Sequence, residues 1–115
     1  MTGPCARPSP APILAAGLGR LRAARLRGAR WRGLDPVRIE MQLEGSTPKA
    51  FYQGEPLQGL DVVIPRIAPS IQAYGLAVVN QFAVMGVATL NDANGIATSR
   101  NKMRALQVLA RAGVP

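Results

Sequence analysis

The sequence contains no histidine and a single cysteine, Cys5. The first absence excludes histidine metal ligands, Ser-His triads and a histidine pH switch within this chain. The second excludes an internal disulfide framework and every multi-cysteine zinc or iron–sulfur site. Aromatic residues are scarce: Trp31, Phe51, Tyr52, Tyr74 and Phe82. No apolar run approaches the roughly 18 residues that a bilayer span needs. The 115 residues suffice for one domain with a modest core.

Acidic residues are also few, six against fourteen Lys and Arg, for a net charge of +8. Such an excess first points to nucleic acid or an anionic membrane surface. Its distribution changes that reading. Residues 1–33 hold Arg7, Arg20, Arg22, Arg25, Arg27, Arg30 and Arg32 and no acid, so they carry +7. Residues 34–115 hold seven bases and six acids and carry +1.

The first third reads poorly as a folded element. Pro4, Pro8, Pro10 and Pro12 oppose both helix and central strand. Leu14, Leu18 and Leu21 have helical spacing, but Gly17, Gly19 and Gly28 each weaken a helix by about 1 kcal/mol relative to Ala. Three readings remain open: a basic amphipathic segment for RNA or anionic lipid, an Arg-rich targeting segment, and a solvated or non-native lead without function. The expectation is a disordered or non-native lead over 1–33.

From residue 34 the pattern is α/β. Leu34-Asp35-Pro36 suits a turn, and Val37, Ile39, Met41 and Leu43 alternate with polar residues as in a half-exposed strand. Ala50–Gln53 and Glu55–Leu57 flank Gly54 as a small hairpin. Leu60–Ile64 is a β-branched run suited to a strand buried on both faces. Pro65 ends it, and Pro69 suits the first turn of a helix carrying Ile71, Val78, Phe82 and Met85. Gly86 stops that helix, Val87–Leu90 form a second strand, and Asn91 is placed to cap the next helix. This last helical region carries Ile96, Met103, Leu106 and Ala110, with a break expected near Gly95–Ser99. Strand, helix, strand, helix is the order of a parallel sheet with crossover helices. Ligands of such sheets sit beyond the carboxyl ends of the strands, which Pro65–Tyr74 and Asn91–Lys102 leave.

Four residues in those segments are candidates. Lys102 falls on the apolar side of a helical wheel, where it must snorkel or meet an anion, while Arg100, Arg104 and Arg111 group on an ordinary solvated face. If Ser99 caps a new helix, Lys102 lies in its first turn, close to where a phosphate is favoured. Arg66 follows the buried strand and can clamp a carboxylate or phosphate, or pair with Asp61 or Asp92. Ser70 is a substrate contact or a helix cap. Tyr74 either offers a phenol to a cleft or packs with its hydroxyl at the core rim. The acids Asp35, Glu40, Glu44, Glu55, Asp61 and Asp92 are dispersed, so no catalytic residue and no metal site is assigned. Neither a G-x-x-x-x-G-K-[ST] loop nor a G-x-G-x-x-G loop occurs.

Several stretches together resemble the RimK family of ATP-grasp ligases. They are Pro65–Gly75 (PRIAPSIQAYG), Gln81–Val87 (QFAVMGV), Leu90-Asn91 and Ile96–Gly113 (IATSRNKMRALQVLARAG). Leu34-Asp35-Pro36, Met41, Tyr52–Glu55 and Leu60–Ile64 extend the match to about residues 34–115. The resemblance implies a small Rossmann-like pre-ATP-grasp domain, α/β, with a short mostly parallel sheet and flanking helices behind an irregular lead. It implies a cytoplasmic enzyme that uses ATP and Mg²⁺ to add glutamate to the C-terminus of a small-subunit ribosomal protein through an acyl-phosphate. Lys102 becomes a ligand of an ATP phosphate, and Arg66, Ser70 and Tyr74 lie on the substrate side. Asn101 stands where the family commonly has Asp.

The chain stops at Pro115, where the family's ATP-grasp domain should begin, and residues 1–33 do not match the family's opening apolar strand. The expectation is therefore a fragment, inactive alone, whose lead arose from a frameshift or wrong start and whose principal partner is the missing ATP-grasp domain. No membrane or direct nucleic-acid partner is expected. The alternatives are a domain of a related ligase for a carrier protein or coenzyme, a basic RNA- or ribosome-binding module, and a regulatory stub for a separately encoded ATP-grasp chain.

Overall fold

Seven strands in two sheets, with three α-helices, make up the described part of the chain, residues 13–15 and 31–115 of a computed structural model. The parallel sheet has four strands, β1 (Ile13–Ala15), β2 (Trp31–Arg32), β6 (Val62–Ile64) and β7 (Ala88–Thr89), in the order β2-β1-β6-β7. The antiparallel sheet has three, β3 (Ile39–Gln42), β4 (Lys49–Tyr52) and β5 (Glu55–Pro56), in chain order. A second, antiparallel sheet stands beside the short parallel sheet expected. The hairpin segment pairs with itself, Ile39 opposite Tyr52 and Gln42 opposite Lys49, and does not join the parallel layer.

Two short pieces of the first third enter the parallel sheet. β1 lies inside the sheet, pairing Leu14 with both Arg32 and Val63. Pro12 immediately precedes it, so the ring removes no hydrogen bond from within the strand. Residues 1–12 and 16–30 lie outside the described residues, and so do the readings that depend on them.

Local signals act as their chemistry dictates. Asp35 accepts from the Val37 N–H at 3.1 Å and starts a 3-10 turn over Pro36–Arg38, which shortens the strand expected from Val37. The β4–β5 hairpin turns through Gln53 (φ 51°) and Gly54 (φ 79°), the two left-handed residues a tight hairpin requires. A 3-10 turn at Pro69–Ile71 leads into α1 (Gln72–Val84). Gly86 ends α1: its N–H donates to Ala83 and that of Val87 to Phe82, the paired closure of a Schellman motif.

Asp92, not Asn91, caps α2 (Ala93–Arg100), because its carboxylate reaches the Gly95 N–H at 2.5 Å. The helical region then breaks at Asn101, beyond the Gly95–Ser99 stretch expected. Asn101 is extended and caps α3 (Lys102–Arg111) by accepting from the Arg104 N–H at 3.0 Å.

The core gathers on α1. Phe82 is fully buried, Val78 nearly so, and they pack with Ile39, Ala50 and Val63 from the two sheets and with Leu34 and Leu57 from the segments beside them. Two polar residues fasten the same helix to the hairpin. Tyr74 donates its hydroxyl to the Ile39 carbonyl at 2.5 Å. Gln81, buried, donates from Nε2 to the carbonyls of Lys49 at 2.8 Å and Gln42 at 3.3 Å. Seven residues apart, the two share one helix face.

Candidate functional site

β6 and β7 run parallel, so their carboxyl ends open on the same side of the sheet. A cleft of about 460 Å³ lies there, between Pro65–Ala68, which leaves β6, and Ile96, Ser99 and Arg100 of α2. Strand order requires this convergence. β6 hands the chain to a turn and α1, α1 returns it to β7, and β7 delivers it through a cis Leu90–Asn91 peptide to α2. Both exits therefore face each other.

The wall after β6 is held at Ile67. Its side chain is buried against Gly75, where an added Cβ would collide with Ile67 Cγ2. Its carbonyl accepts from Nη2 of Arg100 across the cleft. Arg66 is exposed beside it. One arginine on each wall thus lines the cleft, with no acid among the lining residues. Arg100, read from the sequence as one of a solvated group, is the residue that reasoning missed. The available signal was its place at the end of the segment leaving β7, at the same sheet end as Arg66.

The four expected residues are not all brought together. Arg66 lines the cleft. Ser70 lies exposed in the 3-10 turn and caps nothing: the cap positions are Ala68 for the turn and Ile71 for α1, and neither makes a side-chain cap bond. Tyr74 sits outside the cleft lining with its hydroxyl committed to Ile39. Lys102 opens α3 one residue beyond the cap, exposed, and outside the cleft lining. On α3 itself Lys102 aligns with Leu106 and Leu109, four and seven residues on, so its place on the apolar stripe survives the break at Asn101. That stripe is uncovered. α3 has no buried residue, and Met103 and Leu106 are 65% and 60% exposed.

A second cleft, about 440 Å³, lies at the opposite end of the strands beside Lys49, Leu57, Leu60 and Val87. It lacks paired cationic groups, and it faces the amino ends, where such sheets do not present ligand sites. Among the described residues no group of three or more His, Cys, Asp or Glu converges as a metal site would need. Among them, too, no helix is long and apolar enough to cross a membrane.

A family model described as the RimK PreATP-grasp domain matches residues 19–96. It starts within the basic third and ends before α3. Curated relatives extend the likeness. A probable alpha-L-glutamate ligase of Halorhodospira halophila is 45% identical over 94 residues, 82% of this chain and 31% of that protein. Proteins of the same description from Pseudomonas paraeruginosa and Hydrogenovibrio crunogenus are each 46% identical, over 80% and 82% of this chain. The chain spans about a third of the length of these relatives.

Proposed function

Because the chain belongs to the RimK pre-ATP-grasp domain family, we propose that it forms one wall of the active site of an ATP-dependent glutamate ligase acting on the C-terminus of a small-subunit ribosomal protein in the cytoplasm. The observation that carries this reading is the cleft at the carboxyl ends of β6 and β7, lined by Arg66 and Arg100 and followed at once by Lys102.

Bound ATP with Mg²⁺ would supply the phosphoryl group that activates a carboxylate as an acyl-phosphate, leaving ADP, and attack by an amine would then form the amide and release inorganic phosphate. The residues of this chain bind and orient. Lys102 supplies a compact positive charge for a nucleotide phosphate, in the first turn of a helix whose amino end also favours an anion. Arg66 orients a substrate carboxylate through its planar fork. Ser70 stands on the open side of the turn after β6, available to the acceptor. Tyr74 contributes by fixing α1 to β3 and so setting where that turn stands. In this reading the acids for Mg²⁺ and the adenine pocket belong to the ATP-grasp domain of such a ligase.

The test is a graft. Residues 1–115 replace the matching third of the Pseudomonas paraeruginosa relative, and ATP-dependent transfer of glutamate is measured on a ribosomal-protein C-terminal peptide and on a carrier protein. Ligation of the peptide, reduced at least tenfold by Lys102→Ala, is expected. A folded graft that hydrolyses ATP but ligates only the carrier protein overturns the ribosomal assignment. One in which Lys102→Ala changes nothing overturns the role of Lys102.

A further inference from the structure

β3 is the outer strand of the hairpin sheet, and among the described residues no strand pairs with its other side. The ladder fixes where its backbone groups point. Ala50 stands opposite Met41, and its carbonyl accepts from the Leu57 N–H at 2.9 Å, on the β5 side. Backbone groups alternate sides along a strand, so those of Met41 face away from β4. Ile39, two residues earlier, agrees, since its carbonyl accepts from the Tyr74 hydroxyl on that outer side. Both groups of Ile39 are engaged, its N–H donating to the Pro36 carbonyl. The N–H and C=O of Met41 are open, an edge of the kind that recruits another strand. Leu43 beyond it is 74% exposed, more than any other large apolar side chain among the described residues.

The side chains select the strand that fits. The groove along this edge is lined by Glu40, Met41, Gln42, Leu43, Glu44 and Phe51, two acids and no base. Paired with its own reverse, the segment supplies the missing base. With Met41 opposite Met41 of a second copy, Arg38 meets Glu44, Ile39 meets Leu43 and Glu40 meets Gln42, each twice by symmetry. Arg38 is exposed and held by Asp35 at 3.7 Å, a weak surface pair that competes little with a new one. Sliding one strand by two residues in either direction sets Glu40 against Glu40 or against Glu44. Like charges opposite each other oppose pairing, so one register is singled out. In that register the Met41 residues exchange two bonds. Each Leu43 N–H faces an Ile39 carbonyl, whose second lone pair remains beside Tyr74.

We propose that β3 joins a second copy of this chain edge to edge, antiparallel about Met41, making one continuous sheet from two three-stranded ones. None of the residues involved lines the cleft beyond β6 and β7, so the pairing stands apart from the ligase reading.

Sedimentation equilibrium of the full 115-residue chain over a concentration series tests it. A monomer–dimer equilibrium is expected. Arg38→Glu and Glu44→Arg each set like charges opposite one another at both ends of the pairing, and each should weaken the dimer by about tenfold. Mixed in equal amounts, the two variants should pair with each other, because each supplies the charge the other lacks. The double variant should regain the parent's affinity. Hydrogen exchange of the parent chain gives a readout free of substitution: protection of the Met41 amide should rise with protein concentration. A chain that stays monomeric, a dimer that leaves Met41 unprotected, or single variants whose mixture fails to pair would each overturn the proposal. A dimer indifferent to both charge reversals also overturns it, and moves the contact to the uncovered stripe of α3.

Discussion

The guanidinium of Arg100 and the carbonyl of Ile67 join the two chain segments that leave the parallel sheet. This contact spans the mouth of the cleft and fixes the distance between its walls. Arg100→Ala removes a charge-assisted donor, a loss of about 1.5–3 kcal/mol for a well-shielded bond and less at this exposed site. The expected outcome is faster hydrogen exchange at the Ile71 amide, which pairs with the Ala68 carbonyl in the turn just beyond Ile67. Unchanged exchange there would show that the turn is held without Arg100.

Gly75 has no room for a methyl group. The position is buried, and three atoms of Ile67 lie within 3.0 Å of where a Cβ would stand. Gly75→Ala should destabilise the fold by about 1–3 kcal/mol through overpacking. The denaturation midpoint reads the loss, and adding Ile67→Val, which removes a methyl group at the clash, should restore part of it.

Tyr74→Phe separates packing from substrate contact. Loss of the bond to Ile39 should cost about 0.5–1.5 kcal/mol in chemical denaturation. Ligation by the graft should stay within a factor of two of the parent graft. A large loss of ligation in a variant of near-parental stability would give the phenol a direct part in recognition.

Gln81→Leu should cost more than Tyr74→Phe. It leaves two backbone acceptors on the hairpin short of a donor beneath a buried side chain, a penalty of about 1–3 kcal/mol. Unfolding by urea with the slope unchanged is the measurement, and a smaller shift than that of Tyr74→Phe would contradict the ranking.

Asn101→Ala removes the cap of α3 and should lower helix content and stability by about 1 kcal/mol. Asn101→Asp should keep the cap, since either side chain can accept from the Arg104 N–H. Circular dichroism of the two variants decides it, and equal loss in both would remove the cap as the reason for a short polar residue at this position.

Much of the architecture was readable because it rests on short-range rules. The apolar spacing of Val78, Phe82 and Met85, the Gln53-Gly54 turn and the stop at Gly86 each reflect a local preference. So does the opening of a helix near Pro69. What escaped depends on partners distant in sequence. Three residues after Pro12 become a strand only because β2 and β6 lie on either side of them. Gln81 shows no sequence sign of reaching Gln42 and Lys49, more than thirty residues away. A helical wheel reports where Arg100 points on its own helix and says nothing of the loop that comes to meet it. Asn91 and Asp92 are both good caps, and only backbone placement chose Asp92.

The position of β1 bears on how the chain can be cut. Its three residues lie in the most basic and least regular third of the sequence, yet they are the plank between β2 and β6. Trimming the front to remove the arginines would also withdraw this plank. β2 and β6 would each be left with an open row of N–H and C=O groups facing a gap, which invites strand exchange between molecules. Charge and scaffold are separable only by replacing arginines one at a time, with Ile13–Ala15 left in place.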